Sequence, residues 1–336
     1  MTDLATSYLG LELRNPLVAS ASPLSGSADG VRRLADGGTG AVVLYSLFEE
    51  QLRQAAARDA AAAEAGTDSF AESLSYFASA ASGDAGPRRY LSLLERAAAA
   101  VDIPVIASLN GSTTGGWTDY ASALQDAGAA AIELNVYLVP GDVHTSGRDV
   151  EERHLEILRR VKAAVTLPVA VKLSPYFSST GEVVRRLDRA GADGLVLFNR
   201  FLQPDIDPEA LTVTARHGLS TRSEGRLPRA WIALLAGRVR ASLAATTGVE
   251  DATDVARYLL AGADVVMTAS ALLRHGPGYA GVMVEELSGW MARKGFGTVG
   301  EVRGMLSVPA WADEDDYERA GYITALQAAN SYDGPW

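Results

Sequence analysis

Eight short apolar runs, each followed by a stretch with helical periodicity, constrain the fold of this chain more than any other feature. The runs are Leu17–Ser20, Ala41–Ser46, Val105–Asn110, Ala130–Val136, Val169–Ser174, Gly194–Asn199, Ala241–Thr246 and Val265–Ser270. Strands that are apolar almost throughout are typical of a parallel sheet covered by helices on both faces. Eight such units in roughly 250 residues favour a (β/α)₈ TIM barrel over an open doubly wound sheet.

The stretches between the runs have the spacing and the ends of amphipathic helices. They are Val31–Asp36, Arg88–Val101, Tyr120–Ala127, Glu151–Val165, Glu182–Ala190, Arg229–Val239, Thr253–Leu260 and, after the last run, Ala280–Arg293. Three of them stop at a glycine before an alanine, at Gly128, Gly191 and Gly262. Glycine is favoured there because the residue after a helix often adopts a left-handed conformation.

Three segments fall outside this repeat. Tyr8 to Asn15 alternates apolar and polar residues and predicts an N-terminal hairpin. Residues 48–87 form an insertion after the second strand, for which we predict a helix over Glu49–Glu64 and a loop over the barrel mouth. We therefore expect one barrel domain over residues 1–309 and a C-terminal extension over residues 310–336, with aromatic residues that would dock on the barrel or on a second subunit.

Composition excludes several classes of function. The net charge of −11, without a Lys/Arg-rich run, argues against a nucleic-acid-binding surface. Because the chain has no cysteine, it has neither a disulfide nor a thiolate catalyst, and its four scattered histidines do not suggest a metal site. The start of the chain lacks the pattern of a signal peptide, and no apolar run is long enough to cross a membrane. We expect a soluble cytoplasmic protein.

Polar side chains gather at the carboxyl ends of the predicted strands, where barrels of this class carry their active sites. They include Ser20, Ser22, Tyr45, Ser46, Asn110, Asn135, Lys172, Ser174, Asn199, Thr246, Thr247 and Ser270. Lys172 stands out because it interrupts the run Val169–Leu173, and a buried lysine is costly unless an anion or a polar group meets it. A lysine that reaches solvent from the strand end is the simpler interpretation of this stretch alone.

The last two units also carry a phosphate-binding signal. Thr246–Val249 and Thr268–Ala271 are turns of small residues that follow strands seven and eight. Small residues allow backbone N–H groups to approach a phosphate, and barrels often bind phosphate at this place. The signal suits FMN, a sugar phosphate or pyridoxal phosphate equally.

Six segments, taken together, resemble the dihydroorotate dehydrogenase family of FMN-binding barrel flavoproteins, over about Leu9 to Phe296. These segments are Asn15–Ser22, Ile132–Asn135, Val171–Phe177, Leu195–Asn199, Thr247–Val249 and Ala271–Pro277. The lysine strand is the specific part of this resemblance, whereas many flavin barrels share the phosphate turns. The resemblance implies FMN as cofactor, hydride transfer between a CH–CH substrate and FMN, reoxidation by a separate electron acceptor, and a place in pyrimidine biosynthesis. A homodimer is the default expectation for such a barrel.

The resemblance also implies roles for individual residues. Lys172 would face the N1/O2 edge of the flavin, and Asn199 would hold the substrate over the ring. The remaining cofactor contacts would come from Ala19, Ser20, Ala21, Tyr45, Ser46, Asn110, Asn135, Thr247, Gly248, Val249, Ala269 and Ser270. Among them, the backbone at Gly248, Val249, Ala269 and Ser270 would hold the phosphate. Asn135 would bond the cofactor or the substrate.

Three positions depart from the family pattern. The family's catalytic base, a cysteine or serine three residues after the asparagine, is Leu138 here, and leucine cannot accept a proton. Tyr45 replaces a second lysine that contacts the flavin, and the family's substrate loop has no counterpart in residues 69–77. These changes argue against ordinary dihydroorotate oxidation, which needs a base. The candidates for a substitute base are His144, Ser146, Tyr137 and Ser174.

Two other functions are compatible with the sequence. The chain would be a barrel synthase or aldolase if Lys172 formed a Schiff base or bound a phosphate. It would be a non-catalytic partner subunit if it bound flavin without turnover. A yellow preparation separates the flavoprotein from the synthase, and substrate-dependent bleaching separates a catalytic flavoprotein from a non-catalytic one.

Overall fold

The computed structural model describes residues 2–54, 57, 86–113, 117–138, 141–214, 218–309, 312 and 314–329. The strands in chain order are β1 (Thr6–Tyr8), β2 (Leu11–Leu13), β3 (Leu17–Ala19), β4 (Ala41–Val43), β5 (Leu47–Phe48), β6 (Val105–Gly111), β7 (Ala131–Val136), β8 (Val169–Leu173), β9 (Gly194–Leu197), β10 (Asp205–Asp207), β11 (Thr212–Thr214), β12 (Ser242–Ala245) and β13 (Val265–Thr268).

Helices follow the strands as the sequence predicts. They are α1 (Ala28–Asp36), α2 (Pro87–Ala98), α3 (Trp117–Asp126), α4 (Gly147–Ala164), α5 (Thr180–Arg189), α6 (Arg226–Leu235), α7 (Ala252–Ala261), α8 (Ser270–His275), α9 (Tyr279–Lys294), α10 (Val299–Val302) and α11 (Glu314–Ala329). Several have side-chain caps: Ser27 accepts a hydrogen bond at the start of α1, Ser146 at α4 and Asp251 at α7. Gly262 ends α7 in the left-handed conformation that the sequence predicts.

Eight parallel strands close into a barrel. Around the circumference β3 is followed by β4, β6, β7, β8, β9, β12 and β13, and β13 pairs with β3 again. The predicted (β/α)₈ barrel is therefore confirmed. The short strand β5 is an addition that pairs alongside β6 at its carboxyl end, through Leu47↔Leu109 and Phe48↔Asn110.

The core has two layers, one between the strands and the helices and one inside the barrel. The interior layer includes Val18, Ile106, Ala170 and Val196. The hairpin of β1 and β2 closes one end of the barrel, since Tyr8, Leu9 and Leu13 pack against this interior layer. Gly194 makes this contact possible, because a Cβ atom there would lie 2.4 Å from the side chain of Leu9.

The segments outside the repeat differ in part from the prediction. The N-terminal hairpin is present but begins at Thr6, two residues earlier than its alternation suggests. Residues 49–54 and 57 are helical, and the rest of the predicted helix and the loop over the mouth lie outside the described residues. The extension contains α11, which the sequence analysis did not predict, and Tyr322 on it is 65% exposed.

Neither a membrane-spanning helix nor a metal-binding cluster is present in the described residues. None of the helices there is both long and apolar enough to span a membrane. Within the same part of the chain, no three His, Cys, Asp or Glu side chains cluster in a way that could hold a metal ion.

Candidate active site

Asn110, Asn135 and Lys172 lie side by side on three neighbouring strands. The register pairs Asn110 with Asn135 and Asn135 with Lys172. Side chains alternate along a strand, so Lys172 faces the same way as Ala170, two residues earlier in the interior layer. The three polar side chains therefore point into the barrel, near its carboxyl end.

Lys172 is buried and its partner is a buried carboxylate. Its side chain is 8% exposed, and its Nζ atom lies 3.4 Å from Oε1 of Glu133, whose side chain is 1% exposed. The other carboxylate oxygen, Oε2 of Glu133, has no hydrogen-bond partner among the described residues. An ammonium has three donors and this contact uses one of them, so the pair retains unused donors and an unused acceptor at the mouth. A buried ion pair with unused capacity is typical of a functional site rather than of a stabilising core contact.

Two asparagines form a second polar group beside the lysine. Nδ2 of Asn199 donates a hydrogen bond of 2.7 Å to Oδ1 of Asn135. The backbone N–H of Asn199 donates to the carbonyl of Leu173 at 2.8 Å and extends the ladder beyond β9. This bond fixes Asn199 at the rim and leaves the free halves of the two amides for a ligand.

The turn after β12 has an unusual backbone that its neighbours hold in place. Thr247 and Gly248 both have positive φ angles, 80° and 71°. A Cβ atom on residue 248 would lie 2.5 Å from the backbone nitrogen of Gly225, so only glycine fits. The Tyr258 hydroxyl donates to the carbonyl of Thr247 at 2.6 Å, and burial raises the pKa of this phenol, which keeps the donor protonated.

Ser220 joins this turn to the turn after β13. Its backbone N–H and its hydroxyl both donate to Oγ of Ser270, at 3.0 and 2.9 Å, and its own Oγ accepts from the N–H of Gly248 at 3.3 Å. Among the described residues, no group accepts a hydrogen bond from the backbone N–H of Val249 or Ala269. The two turns therefore present free N–H donors, which is the chemistry that a phosphate requires.

A cavity of about 220 Å³ extends from Lys172 to these two turns. Eight of the predicted cofactor contacts line it: Ser20, Ala21, Lys172, Asn199, Thr247, Val249, Ala269 and Ser270. The structure thus brings the lysine strand and both phosphate-type turns to one cavity. Backbone donors in the two turns and the buried cation suit an elongated anionic ligand.

Other predicted residues lie near the cavity or away from it. Asn110 and Asn135 are within the mouth but do not line the cavity, and Ala19 is buried within β3. Ser46 shares a hydrogen bond of 2.9 Å with the hydroxyl of Ser108, and the ring of Tyr45 packs edge-on against Tyr90. Gly248 does not line the cavity either and acts through the shape of its turn.

The residue at the position of the family's base is apolar here, and its neighbour in the chain is aromatic. Leu138 is half-buried, and the neighbouring Tyr137 stacks on Phe201 with ring centroids 4.4 Å apart. His144 is exposed in the loop before α4, where its backbone N–H donates to Asp142. It does not line the cavity, so the structure does not bring it to the site. Its role as a base stays a prediction.

Sequence reasoning missed several residues of the site. Glu133 carried the same signal that singled out Lys172, a charged residue inside an apolar run. Ser220, Gly218 and Leu219 line the cavity from a segment far from any predicted strand end. The only signal for them was a glycine and a serine just before a helix. Phe198 and Arg200, which flank the predicted Asn199, also line the cavity.

With this geometry established, comparison with known proteins identifies the family. The sequence model of dihydroorotate dehydrogenase matches residues 3–291. The chain belongs to the dihydroorotate dehydrogenase family. It is therefore a dihydroorotate dehydrogenase-like oxidoreductase.

Named relatives in this family show similar levels of identity. The chain is 29% identical over 313 residues to the catalytic subunit of dihydroorotate dehydrogenase B (NAD(+)) from Methanothermobacter thermautotrophicus, covering 90% of this chain and 98% of that protein. It is 29% identical to the same subunit from Halalkalibacterium halodurans, over 61% of this chain and 68% of that one. A putative dihydroorotate dehydrogenase A (fumarate) from Aeropyrum pernix is 28% identical over 65% of this chain and 72% of its own length.

Proposed function

We propose that this family member is an FMN-dependent oxidoreductase that transfers hydride between FMN and a small substrate with a CH–CH bond. The observation that carries the proposal is the cavity that joins buried Lys172 to the two turns after β12 and β13. The resemblance of the lysine strand to the FMN-binding barrel flavoproteins supports the choice of FMN among the phosphate-bearing cofactors.

Residues at both ends of the cavity would hold the cofactor. The backbone N–H groups of Val249, Ala269 and Ser270 would bind the phosphate, and Ser20 and Ala21 would lie along the ring. FMN, when bound, supplies the hydride-accepting ring. Lys172 would contribute a fixed positive charge at the ring edge, where negative charge develops on reduction, and a preorganised charge of this kind accelerates a reaction without rearrangement. Glu133 would orient the ammonium through the contact of 3.4 Å.

The substrate would lie over the ring against Asn135 and Asn199, whose mutual hydrogen bond fixes both amides. We infer that dihydroorotate itself is a poor substrate, because Leu138 stands where the family has its base. Proton removal would then fall to another group near the mouth. Tyr137 is one candidate, although its hydroxyl oxygen already accepts the N–H of Leu202 at 3.0 Å. Ser174 is another, and its hydroxyl oxygen accepts the N–H of Tyr176 at 2.9 Å.

A separate partner would reoxidise the flavin. Two relatives are named as the catalytic subunit of an NAD(+)-type dihydroorotate dehydrogenase, and that name implies a further subunit in those proteins. We infer that this chain also passes its electrons to a second protein rather than to a second site of its own.

The visible absorption spectrum of the purified protein tests the proposal. We expect a flavin spectrum and release of FMN on denaturation, and the variant Lys172→Met should change the spectrum whereas Lys294→Met, an exposed lysine on α9, should not. Dihydroorotate added anaerobically should bleach the flavin slowly or not at all. A colourless protein that does not bind added FMN would overturn the proposal and favour a synthase. Rapid bleaching by dihydroorotate would contradict only the inference drawn from Leu138.

A further inference from the structure

We propose that a second cavity, next to the first, receives the anionic tail of the substrate, and that the substrate is a flat conjugated carboxylate larger than dihydroorotate. This inference rests on the proposed function, since it assumes that the reacting end of the substrate lies over the flavin. Neither the family match nor the names of the relatives assign a role to this second cavity.

The second cavity continues the first one around Asn199. Its volume is about 560 Å³, and Phe198, Asn199, Arg200, Gly218 and Thr247 line both cavities. A molecule held at Asn199 can therefore extend from the cofactor side into the larger space without crossing a wall. The larger volume of the second cavity leaves room for most of the substrate outside the cofactor cavity.

Among the residues that the structure describes, three charged side chains line the second cavity, and their sum is positive. Nε of Arg200 donates to Glu224 at 2.9 Å, and Nη1 of Arg200 donates to the carbonyl of Gly218 at 2.6 Å. Partial burial opposes ionisation of Glu224, but hydrogen bonds from Thr221 and the charge of Arg200 outweigh it and lower the pKa of this carboxyl. Arg200 and Glu224 therefore neutralise each other.

Arg226 supplies the uncompensated charge. It is the first residue of α6, it is exposed, and no described residue forms an ion pair or a hydrogen bond with its side chain. One unpaired cation in the wall suits a single carboxylate, which a guanidinium can bind through two parallel hydrogen bonds. This cation is notable in a chain whose net charge is −11, because the overall field disfavours anions away from such a site.

Aromatic side chains line the same cavity as this charge and favour a flat tail. Phe201 and Tyr176 line the cavity with their rings edge-to-face, 5.6 Å apart, and Tyr137 stacks on Phe201. Tyr176 also accepts a hydrogen bond from Gln203 at 3.3 Å. Flat ring systems pack well against such a surface. An aromatic face together with one free guanidinium favours a planar conjugated carboxylate over a sugar or an aliphatic acid.

The binding of trans-cinnamate and of its neutral amide, cinnamamide, tests this proposal. The two probes have the same shape and differ in one charge. We expect cinnamate to bind at least tenfold more tightly than cinnamamide, measured by calorimetry and, in the FMN-loaded protein, by a shift of the flavin spectrum. Arg226→Ala should weaken cinnamate binding about tenfold and leave cinnamamide unchanged, because a charge-assisted hydrogen bond is lost. Arg226→Lys should retain part of the affinity.

Arg88→Ala is the matched control, since Arg88 is also exposed in the first turn of a barrel helix but lines neither cavity. It should bind both probes as the wild type does. Equal affinity for the two probes, no measurable binding of cinnamate, or an Arg226→Ala variant that binds cinnamate normally would each overturn the proposal. Loss of FMN binding by the wild-type protein would overturn the proposed function instead, and calorimetry with cinnamate, which needs no flavin, would still test the cavity.

Discussion

Two parts of the barrel rim, the turns after β12 and β13 and the loop segment of residues 141–146 before α4, are built in different ways. In the turns, Ser220, Gly248 and Ser270 are buried and bond one another across 28 and 50 residues of chain. In the loop, His144 and Ser146 are exposed, and their bonds reach only two or three residues away, to Asp142 and Asp149. One part is held by the tertiary structure and the other by local turn chemistry.

This difference would allow a member of the family to keep its cofactor while its substrate changes. A change within the interlocked turns disturbs several buried hydrogen bonds at once, because each partner is shared. A change in the exposed loop removes a local contact and leaves the barrel intact. The resemblance to dihydroorotate dehydrogenases accordingly includes the turns at the proposed phosphate end, and it fails at Leu138, three residues before this loop segment.

The largest effect on the reaction rate is expected from substitution of Lys172, which lies between the two parts. In Lys172→Met, reduction of bound FMN should slow about 100- to 1,000-fold with any reducing substrate, because a fixed charge at the ring edge is lost. The single variant also leaves Glu133 as an unpaired buried charge and should be less stable. The double variant Lys172→Met/Glu133→Gln should recover stability but not rate, as measured by denaturation and anaerobic stopped flow. Recovery of the rate would show that the lysine acts only through stability.

A substitution at Gly248 should disrupt the proposed phosphate end. Gly248→Ala combines a left-handed φ with a contact of 2.5 Å to the backbone of Gly225, and should lower the free energy of unfolding by about 2–5 kcal/mol. It should also abolish tight FMN binding. Gly295→Ala is the control, since Gly295 has a φ of 82° with no atom near its Cβ position, and it should cost only about 1–2 kcal/mol. If the two variants lost the same free energy of unfolding, the close approach of residue 248 to Gly225 would be unimportant.

Serine-to-alanine substitutions compare the two parts directly. Ser220→Ala should weaken FMN binding about tenfold, because it removes the hydroxyl that links Gly248 to Ser270. Ser146→Ala removes the capping box of α4 and should cost about 1 kcal/mol of stability without changing FMN affinity. Fluorescence titration of FMN and thermal denaturation measure the two quantities. The contrast between the parts is wrong if Ser146→Ala weakens FMN binding as much as Ser220→Ala does.

The smallest effect is expected at His144. Since this side chain is exposed and does not line the cavity, His144→Ala should change steady-state turnover by less than twofold. A tenfold loss that Ser146→Ala does not share would show that the loop closes over the substrate and that His144 supplies the base.

The barrel could be predicted because its signal is local and repeated. Apolar strands such as Val169–Leu173 and the glycine that ends α7 each report their own conformation, and eight repeats leave few alternatives. Helix α11 was missed because it carries no clear amphipathic pattern, and Tyr322 on it is exposed.

The sequence alone determined the fold, the lysine within its strand and the small residues of the two turns, because strand and turn preferences depend on neighbouring residues. Only the tertiary structure decided that Glu133 meets Lys172 and that Ser220 joins two turns. The tertiary structure also places Arg226 at the second cavity and leaves His144 outside both cavities. These relations join residues 28 to 50 positions apart or depend on which side chains face a shared space. Hydropathy along the chain carries no information about such distances, because closing the barrel is what brings these residues together.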